Sequence, residues 1–357
     1  MTVKTPWIHS PKFDLAAIIA PSLVVTAIAV IFQKQLIGLS EAPLWLWILL
    51  VLGIDVAHVY SSLFRTYFDK GEFEKRKRLY IIAPVASWVV GVAVYAFWGG
   101  ETFWMLVAYF AIYHFVRQQY GFMMLFRRGE TVGDWSYRVD QLAIYLATLY
   151  PLVYWHTYPR NFQWFEGFEV IRIPSTIPDL VLRAVTIGVM IAFLAKETIR
   201  FAKTKEVNAG KCLLLAATAI SWTTGIIILN GDLTFTLVNI VSHGVPYMAL
   251  VWIYQHKRLK KEGGSAPAFY RFFQLKYVPL YIAVLGLLAY FEEGIWDWFV
   301  WQEHGSIFGC IHFQASATAL AVLVPLLTVP QVTHYILDAF IWRVNKKGSN
   351  EVRGVIG

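Results

Sequence analysis

The chain has 357 residues, of which 57% are hydrophobic and 15% are charged. A soluble domain carries roughly a quarter charged residues, so this composition excludes an ordinary soluble enzyme and indicates a membrane protein. The net charge of +8 lies in short clusters between apolar runs, which is typical of membrane orientation signals and not of a nucleic-acid-binding surface.

The apolar runs predict ten membrane-spanning helices, because each is long enough to cross about 30 Å of hydrocarbon. These spans are expected at 14–33, 43–64, 79–98, 102–126, 139–157, 177–195, 212–229, 233–254, 277–292 and 307–329. A last segment, 331–343, either continues the tenth span or lies at the membrane surface. No repeat or linker divides the runs. The sequence therefore predicts an all-α, polytopic transmembrane bundle, with residues 1–357 forming a single integral membrane domain.

The loops between these spans alternate in charge. Of the 31 Lys and Arg residues, 26 lie in the two termini and in every second loop. Loops that are rich in Lys and Arg stay in the cytoplasm. This skew predicts that both termini are cytoplasmic and that the protein lies in an inner or cytoplasmic membrane.

One loop on the opposite side, 292–304, has a distinct composition. It carries four acidic residues among three tryptophans. Trp at this level is typical of the aromatic belt at a membrane surface, and a substrate lid is the alternative interpretation.

Ionisable residues stand out in four spans, because each costs roughly 2.5–3.5 kcal/mol in mid-membrane and such residues are usually paired, water-lining or functional. In each of these spans a histidine has a polar partner on the same helix face. The sets are Asp55 with His58, His114 with Gln118, Asn239 with His243 and Tyr247, and His334 with Asp338.

The predicted topology gives these four spans the same direction, so their histidines can converge. Neutral imidazoles around one point would bind iron, zinc or copper. The predicted metal ligands are His58, His114, His243 and His334. We expect Asp55, Gln118 or Asp338 to be a further ligand or to accept an imidazole N–H. The alternative for any one histidine is a helix-to-helix hydrogen bond worth about 0.6 kcal/mol.

The other five histidines are expected to be peripheral, in solvated or interfacial positions. They are His9, His156, His256, His304 and His312.

At the end of the second span, Arg65 and Asp69 are spaced i, i+4 and are expected to pair at the surface. Alternatively, Arg65 and the run Lys75–Arg78 bind an anionic lipid head group.

Several catalytic motifs are absent from the sequence. There is no phosphate-binding Gly loop, no GxSxG and no HExxH. The paired-histidine boxes of membrane desaturases and alkane hydroxylases, HxxxH and HxxHH, are absent too, which excludes those di-iron classes.

The segment Leu327–Arg343, in which Val-Pro is followed by His334 and then Asp338, resembles the last-helix motif of the Brp/Blh family. These proteins are bacterial and archaeal membrane dioxygenases that cleave β-carotene to retinal. Asp55 with His58, His114 with Phe115, and His243 resemble the other motifs of that family. The resemblance covers four short segments. It implies iron held by the four histidines in a helical bundle that is open to a lipid-soluble polyene.

The leading hypothesis is thus a non-haem iron oxygenase or oxidase that acts on an apolar lipid or isoprenoid with O₂, using one iron ion or two. Zinc is the less favoured metal. One alternative is a transporter or channel in which the intramembrane His, Asp and Gln residues relay protons or ions. Others are a haem protein with two axial histidines and a metal-free lipid transferase with a histidine base.

Overall fold

A computed structural model describes residues 7–37, 39, 42–130, 135–162, 166–262, 267–309, 311, 313–342 and 355–356. It is 83% helical, and the described residues contain no β-strand. The all-α prediction is confirmed.

Nine long helices make up most of the described chain. They are α1 (Pro11–Ile31), α2 (Leu44–Arg65), α3 (Lys77–Phe126), α4 (Trp135–Thr157), α5 (Ile177–Thr204), α6 (Ala209–Ile228), α7 (Asp232–Glu262), α8 (Leu275–Trp301) and α9 (Ala317–Ile341). Among the described residues, eight of these helices are long and apolar enough to cross a membrane, α4 being the exception. An integral membrane protein is consistent with this, whereas ten spans and cytoplasmic termini remain predictions.

Helix α3 contains the predicted third and fourth spans. Gly99, between them, has a φ of +84°, a conformation that glycine adopts without steric cost and that breaks the regular helix. The break lies where the sequence predicted a turn, so α3 consists of two helices joined at a kink.

Two boundaries near the carboxyl end differ from the prediction. Helix α8 continues to Trp301, so the first part of the predicted 292–304 loop is helical. Helix α9 begins at Ala317 and not at 307, because the side chain of Ser316 accepts a hydrogen bond from the Ala319 amide and caps the helix. It continues through Pro330 to Ile341, so the segment after Pro330 prolongs the last helix.

The chain divides into two compact units, each described here by itself. Unit 1 comprises residues 1–42, 112–246 and 357, and unit 2 comprises residues 43–111 and 247–356. The single domain predicted over the whole chain stays a prediction.

The core of unit 1 is built from large aromatic and aliphatic side chains of α3, α4, α6 and α7. Trp155 and Trp222 lie at its centre, with Phe115 and Phe235 packed around them. The indole N–H of Trp155 donates to the Ile226 carbonyl over 3.0 Å. A buried indole therefore has the hydrogen-bond partner that it needs.

A buried ion-pair network lies at one end of unit 1. Asp140 is fully buried and accepts from Arg127 Nε at 2.9 Å, from the Lys196 ammonium, and from Lys211 Nζ at 3.4 Å. Lys211 also contacts Glu130 at 3.0 Å and Glu197 at 2.7 Å. Because these side chains come from different helices, the network ties α3, α4, α5 and α6 together.

Glu130 belongs to the same network and lies outside the membrane-length helices. Burial opposes its ionisation, but Lys211, Asn208 and Arg200 together lower the pKa of this carboxyl group to about 2. Several of the cations counted as orientation signals in the sequence are therefore internal ion-pair partners.

In unit 2, one part of the core joins α3 to α9. Tyr80 and Ala83 pack against Leu337 and Ile341. Further along, Gly91 approaches Pro325 so closely that an added Cβ would lie 2.9 Å from the proline ring. Only glycine fits there without a shift of the two helices.

The predicted pair of Arg65 with Asp69 is wrong. Helix α2 ends at Arg65 and the chain turns, so that Asp69 caps the next short helix, Lys70–Lys75. Buried Arg65 pairs with Glu72 at 3.1 Å, and Asp69 pairs with Arg258 at 2.5 Å. The i, i+4 rule fails here because residues 65 and 69 do not belong to one helix.

Glu72 lies between the membrane-length helices and contacts two guanidinium groups. Burial disfavours its charge, but Arg65 and Arg76 hold the pKa of this carboxyl group below its ordinary value. Arg65 also stacks on the Tyr254 ring at 4.2 Å.

Candidate metal centre

Two of the predicted ligands lie together in unit 1. His114 of α3 and His243 of α7 are both buried, with ring centroids 4.8 Å apart and ring planes nearly perpendicular. Gln118, one turn after His114, donates from Nε2 to the His243 carbonyl over 3.0 Å. Phe115 packs against the His243 ring at 4.3 Å. Gln118 thus helps to fix the position of His243.

The other two predicted ligands lie together in unit 2. His58 of α2 and His334 of α9 are buried, with ring centroids 5.1 Å apart. The Tyr247 ring lies 4.9 Å from that of His334 and 5.9 Å from that of His58. His58 Nδ1 lies 3.2 Å from the Ile54 carbonyl. If Nδ1 carries the proton, Nε2 is the nitrogen that can hold a metal.

The four histidines form one group of candidate metal ligands. One ring nitrogen from each lies within 4.8 Å of the others, and all four side chains are buried. Ligand atoms bonded at about 2 Å to one ion lie at most about 4 Å apart, so imidazole nitrogens within 4.8 Å of one another would have to move slightly closer to share an ion.

The predicted carboxylates lie beside the imidazoles. Asp55 Oδ1 is 3.8 Å from His58 Nδ1, and Asp338 Oδ1 is 3.9 Å from His334 Nδ1. These distances exceed those of ordinary hydrogen bonds. Asp338 accepts a hydrogen bond from the Tyr247 hydroxyl over 2.5 Å. Both carboxylates therefore lie close to an imidazole, and neither belongs to the group of four.

The local backbone around Asp55 is unusual. Residues Ile48–Val56 form a π-helical stretch, after which α2 continues as a regular α-helix from Ala57. A π-helix is wider than an α-helix and often occurs at functional sites. This stretch sets the angular offset between Asp55 and His58.

The predicted site does not include Glu292 and Glu293, which fall in the predicted loop 292–304. Both lie in α8, and the side chain of Glu293 is only 9% exposed. The signal was present: the buried residues Tyr281, Leu285 and Ala289 are spaced by four, and Glu293 is the next residue on that face.

Four of the histidines expected to be peripheral lie outside the group of four, and all are half-buried. His156 and His256 each bond a backbone carbonyl through Nδ1, at 2.7 and 2.8 Å. His304 stacks on Trp47 at 3.9 Å, and His9 packs edge-on against Phe13. His312 lies outside the described residues.

No family model matches this chain, and no curated protein or solved structure is significantly similar to it.

Proposed function

We propose that this protein is a membrane oxygenase that holds iron through His58, His114, His243 and His334. The observation that carries the proposal is the close approach of four buried imidazoles from four helices. Imidazoles packed this closely cannot all be positively charged, and the neutral ring is the form that binds a metal.

The chemistry of the ligands favours iron. Magnesium and calcium prefer oxygen ligands, and no carboxylate belongs to the group. Hydrolytic zinc calls for a water molecule and a general base beside the metal, whereas Phe115 and Tyr247 pack against these imidazoles. When bound by these histidines, iron would supply the oxidation of a substrate by O₂.

The proposed substrate is an apolar lipid, of the isoprenoid class. All four histidines lie in helices long and apolar enough to cross a membrane, so a substrate dissolved in the bilayer reaches them without crossing water. The resemblance of the four histidine motifs to those of the Brp/Blh family supports an isoprenoid.

The neighbouring polar residues have positioning roles in this proposal. Asp55 and Asp338 orient His58 and His334, and Gln118 fixes His243 through its backbone carbonyl. Groups in this outer position commonly change metal affinity or activity by about 10- to 100-fold when they are removed.

A proton or ion relay is the second candidate. It is favoured by the two carboxylates within 4 Å of imidazoles, an arrangement that intramembrane relays use. A haem with two axial histidines leaves the other two histidines without a role.

Protein purified in detergent is expected to contain iron, one ion per chain or two. It should consume O₂ only when a lipid-phase isoprenoid is supplied. Elemental analysis and an oxygen electrode check this result, with the His58→Ala protein as the metal-free control. If wild-type protein is active without iron, or equally active without O₂, the oxygenase proposal is wrong and the relay becomes the favoured function.

We further propose that the protein lies in an inner or cytoplasmic membrane with both termini in the cytoplasm, since Lys and Arg concentrate in alternate loops. On the cytoplasmic side, Lys75–Arg78 contact anionic lipid head groups. The sequence grouped Arg65 with these residues. Because Arg65 is buried against Glu72, it contributes less to lipid binding than Lys75–Arg78.

Cysteine labelling in intact cells tests this topology. In a background with Cys212 and Cys310 replaced by serine, Glu74→Cys and Lys261→Cys should resist an impermeant thiol reagent. Glu166→Cys and Glu303→Cys should react. All four positions have exposed side chains, so burial does not account for a difference. The reverse labelling pattern would show that both termini lie on the opposite side of the membrane.

A further inference from the structure

One face of α8 changes from apolar to acidic within unit 2. Tyr281, Leu285 and Ala289 are buried, and Glu293 follows them at the same spacing. The opposite face exposes apolar side chains such as Leu287 and Phe291. The helix therefore turns its carboxyl groups inward and its apolar residues toward lipid.

Glu292 has one partnered oxygen and one without a partner. Its carboxyl group accepts hydrogen bonds from the Tyr60 hydroxyl and the Trp296 indole. Its Oε2 atom is buried and has no hydrogen-bond partner among the described residues. Buried polar atoms are normally satisfied, so an unpartnered oxygen here calls for a proton, a water molecule or an ion.

Four carboxyl groups form what we call the acidic row: Asp55, Glu292, Glu293 and Asp297. Glu293 interacts electrostatically with each of the other three, and Asp55 interacts with Glu292. The charged neighbours of Asp55 and Glu293 are mainly carboxyl groups, together with His58, which lies 3.8 Å from Asp55. Tyr335 of α9 also faces Asp55 and Glu292.

The two ends of the acidic row differ in their surroundings. Asp297 accepts backbone N–H bonds from Glu303 and His304, at 2.9 and 2.8 Å, in a turn whose residue Glu303 is exposed. Its second oxygen, Oδ2, is buried without a partner among the described residues. At the other end, Asp55 lies 3.8 Å from His58. The row thus runs from a solvated turn to a proposed metal ligand.

Neighbouring carboxyl groups in a buried site cannot all be ionised without a cation. A protonated carboxyl group donates from one oxygen and accepts at the other, so it can take up a proton on one side and release one on the other with no net change. We propose that Glu292 and Glu293 carry protons between the turn at Asp297 and the histidine site. This inference rests on the proposed function, because it gives that site a route by which its groups exchange protons with solvent.

Infrared difference spectroscopy of the detergent-solubilised protein tests the proposal without substrate or metal. Spectra of wild type minus Glu292→Gln, and of wild type minus Glu293→Gln, should each contain the carbonyl band of a protonated carboxyl group. In wild type the Glu292 band should shift quickly when D₂O replaces H₂O. In Glu293→Gln that shift should slow by about 100-fold, the lower range of what a positioned proton-transfer group contributes.

Two control variants separate proton transfer from structural damage. Glu293→Asp keeps a carboxyl group and should restore much of the exchange rate, and Glu303→Gln changes an exposed carboxyl group of the turn and should have no effect. The absence of both bands, or equally fast exchange of the Glu292 band in Glu293→Gln, would overturn the proposal. Iron content, measured on the same samples, reports separately on the proposed function. Wild-type protein that lacks iron but keeps both carboxyl bands would contradict the proposed metal site and still support the proton path.

Discussion

Alanine at His58, His114, His243 or His334 is expected to lower iron affinity by at least about 100-fold, the upper end of what removing an outer partner of a ligand costs. The loss is larger for a ligand because three imidazoles leave the ion with an open, solvent-poor position inside apolar walls. Titration of metal-stripped protein with Fe²⁺ and elemental analysis of the purified variants measure this effect.

His156→Ala and His256→Ala are matched controls. Both remove half-buried histidines that bond a backbone carbonyl and lie outside the group of four, so iron content should stay near that of wild type. Full occupancy in any two of the four ligand variants would exclude a shared site. If only His114→Ala and His243→Ala lose iron, the metal site is built from that pair of histidines alone.

Asp140→Asn is expected to destabilise the protein by about 3–5 kcal/mol, the cost of removing one partner of a buried ion pair. The substitution keeps the shape of the side chain but leaves Arg127, Lys196 and Lys211 with one carboxylate fewer in a buried position. Unfolding in mixed detergent micelles, followed by circular dichroism, measures the change.

A second variant shows whether charge is the cause. In Asp140→Asn/Lys196→Met one buried cation is removed together with the carboxylate, so part of the lost stability should return. Glu206→Gln is the control, since Glu206 is exposed and surface changes stay within about 0.5 kcal/mol. If Asp140→Asn behaves like Glu206→Gln, the ion-pair network does not stabilise unit 1.

The network also changes how the charges of the sequence are understood. Lys196, Lys211 and Arg127 lie in segments that the sequence predicted as loops, where positive charge is typical of the cytoplasmic side. The structure gives them a second role as internal ion-pair partners. A residue can have both roles, because the orientation of the protein is decided during membrane insertion and ion pairs form only after the helices pack.

Some features follow from the sequence alone because they depend on local pattern. Long apolar runs predicted the helices, and the gap between the runs 79–98 and 102–126 coincides with the break at Gly99 in α3. The four histidines with a polar partner three or four residues away are the same four whose ring nitrogens approach one another, and metal binding by them stays a prediction. Helical periodicity places such partners on one face whatever the tertiary fold.

Other features depend on which helices meet, and the tertiary structure alone decided them. Arg65 pairs with Glu72 and not with Asp69, because α2 ends between them. Glu293 is buried because α8 runs past the apolar segment and turns its acidic residues toward Asp55. Tyr247 bonds Asp338 across 91 positions of the chain. Local sequence cannot encode such contacts, since the free energy of burying a charge depends on side chains that are distant in the chain.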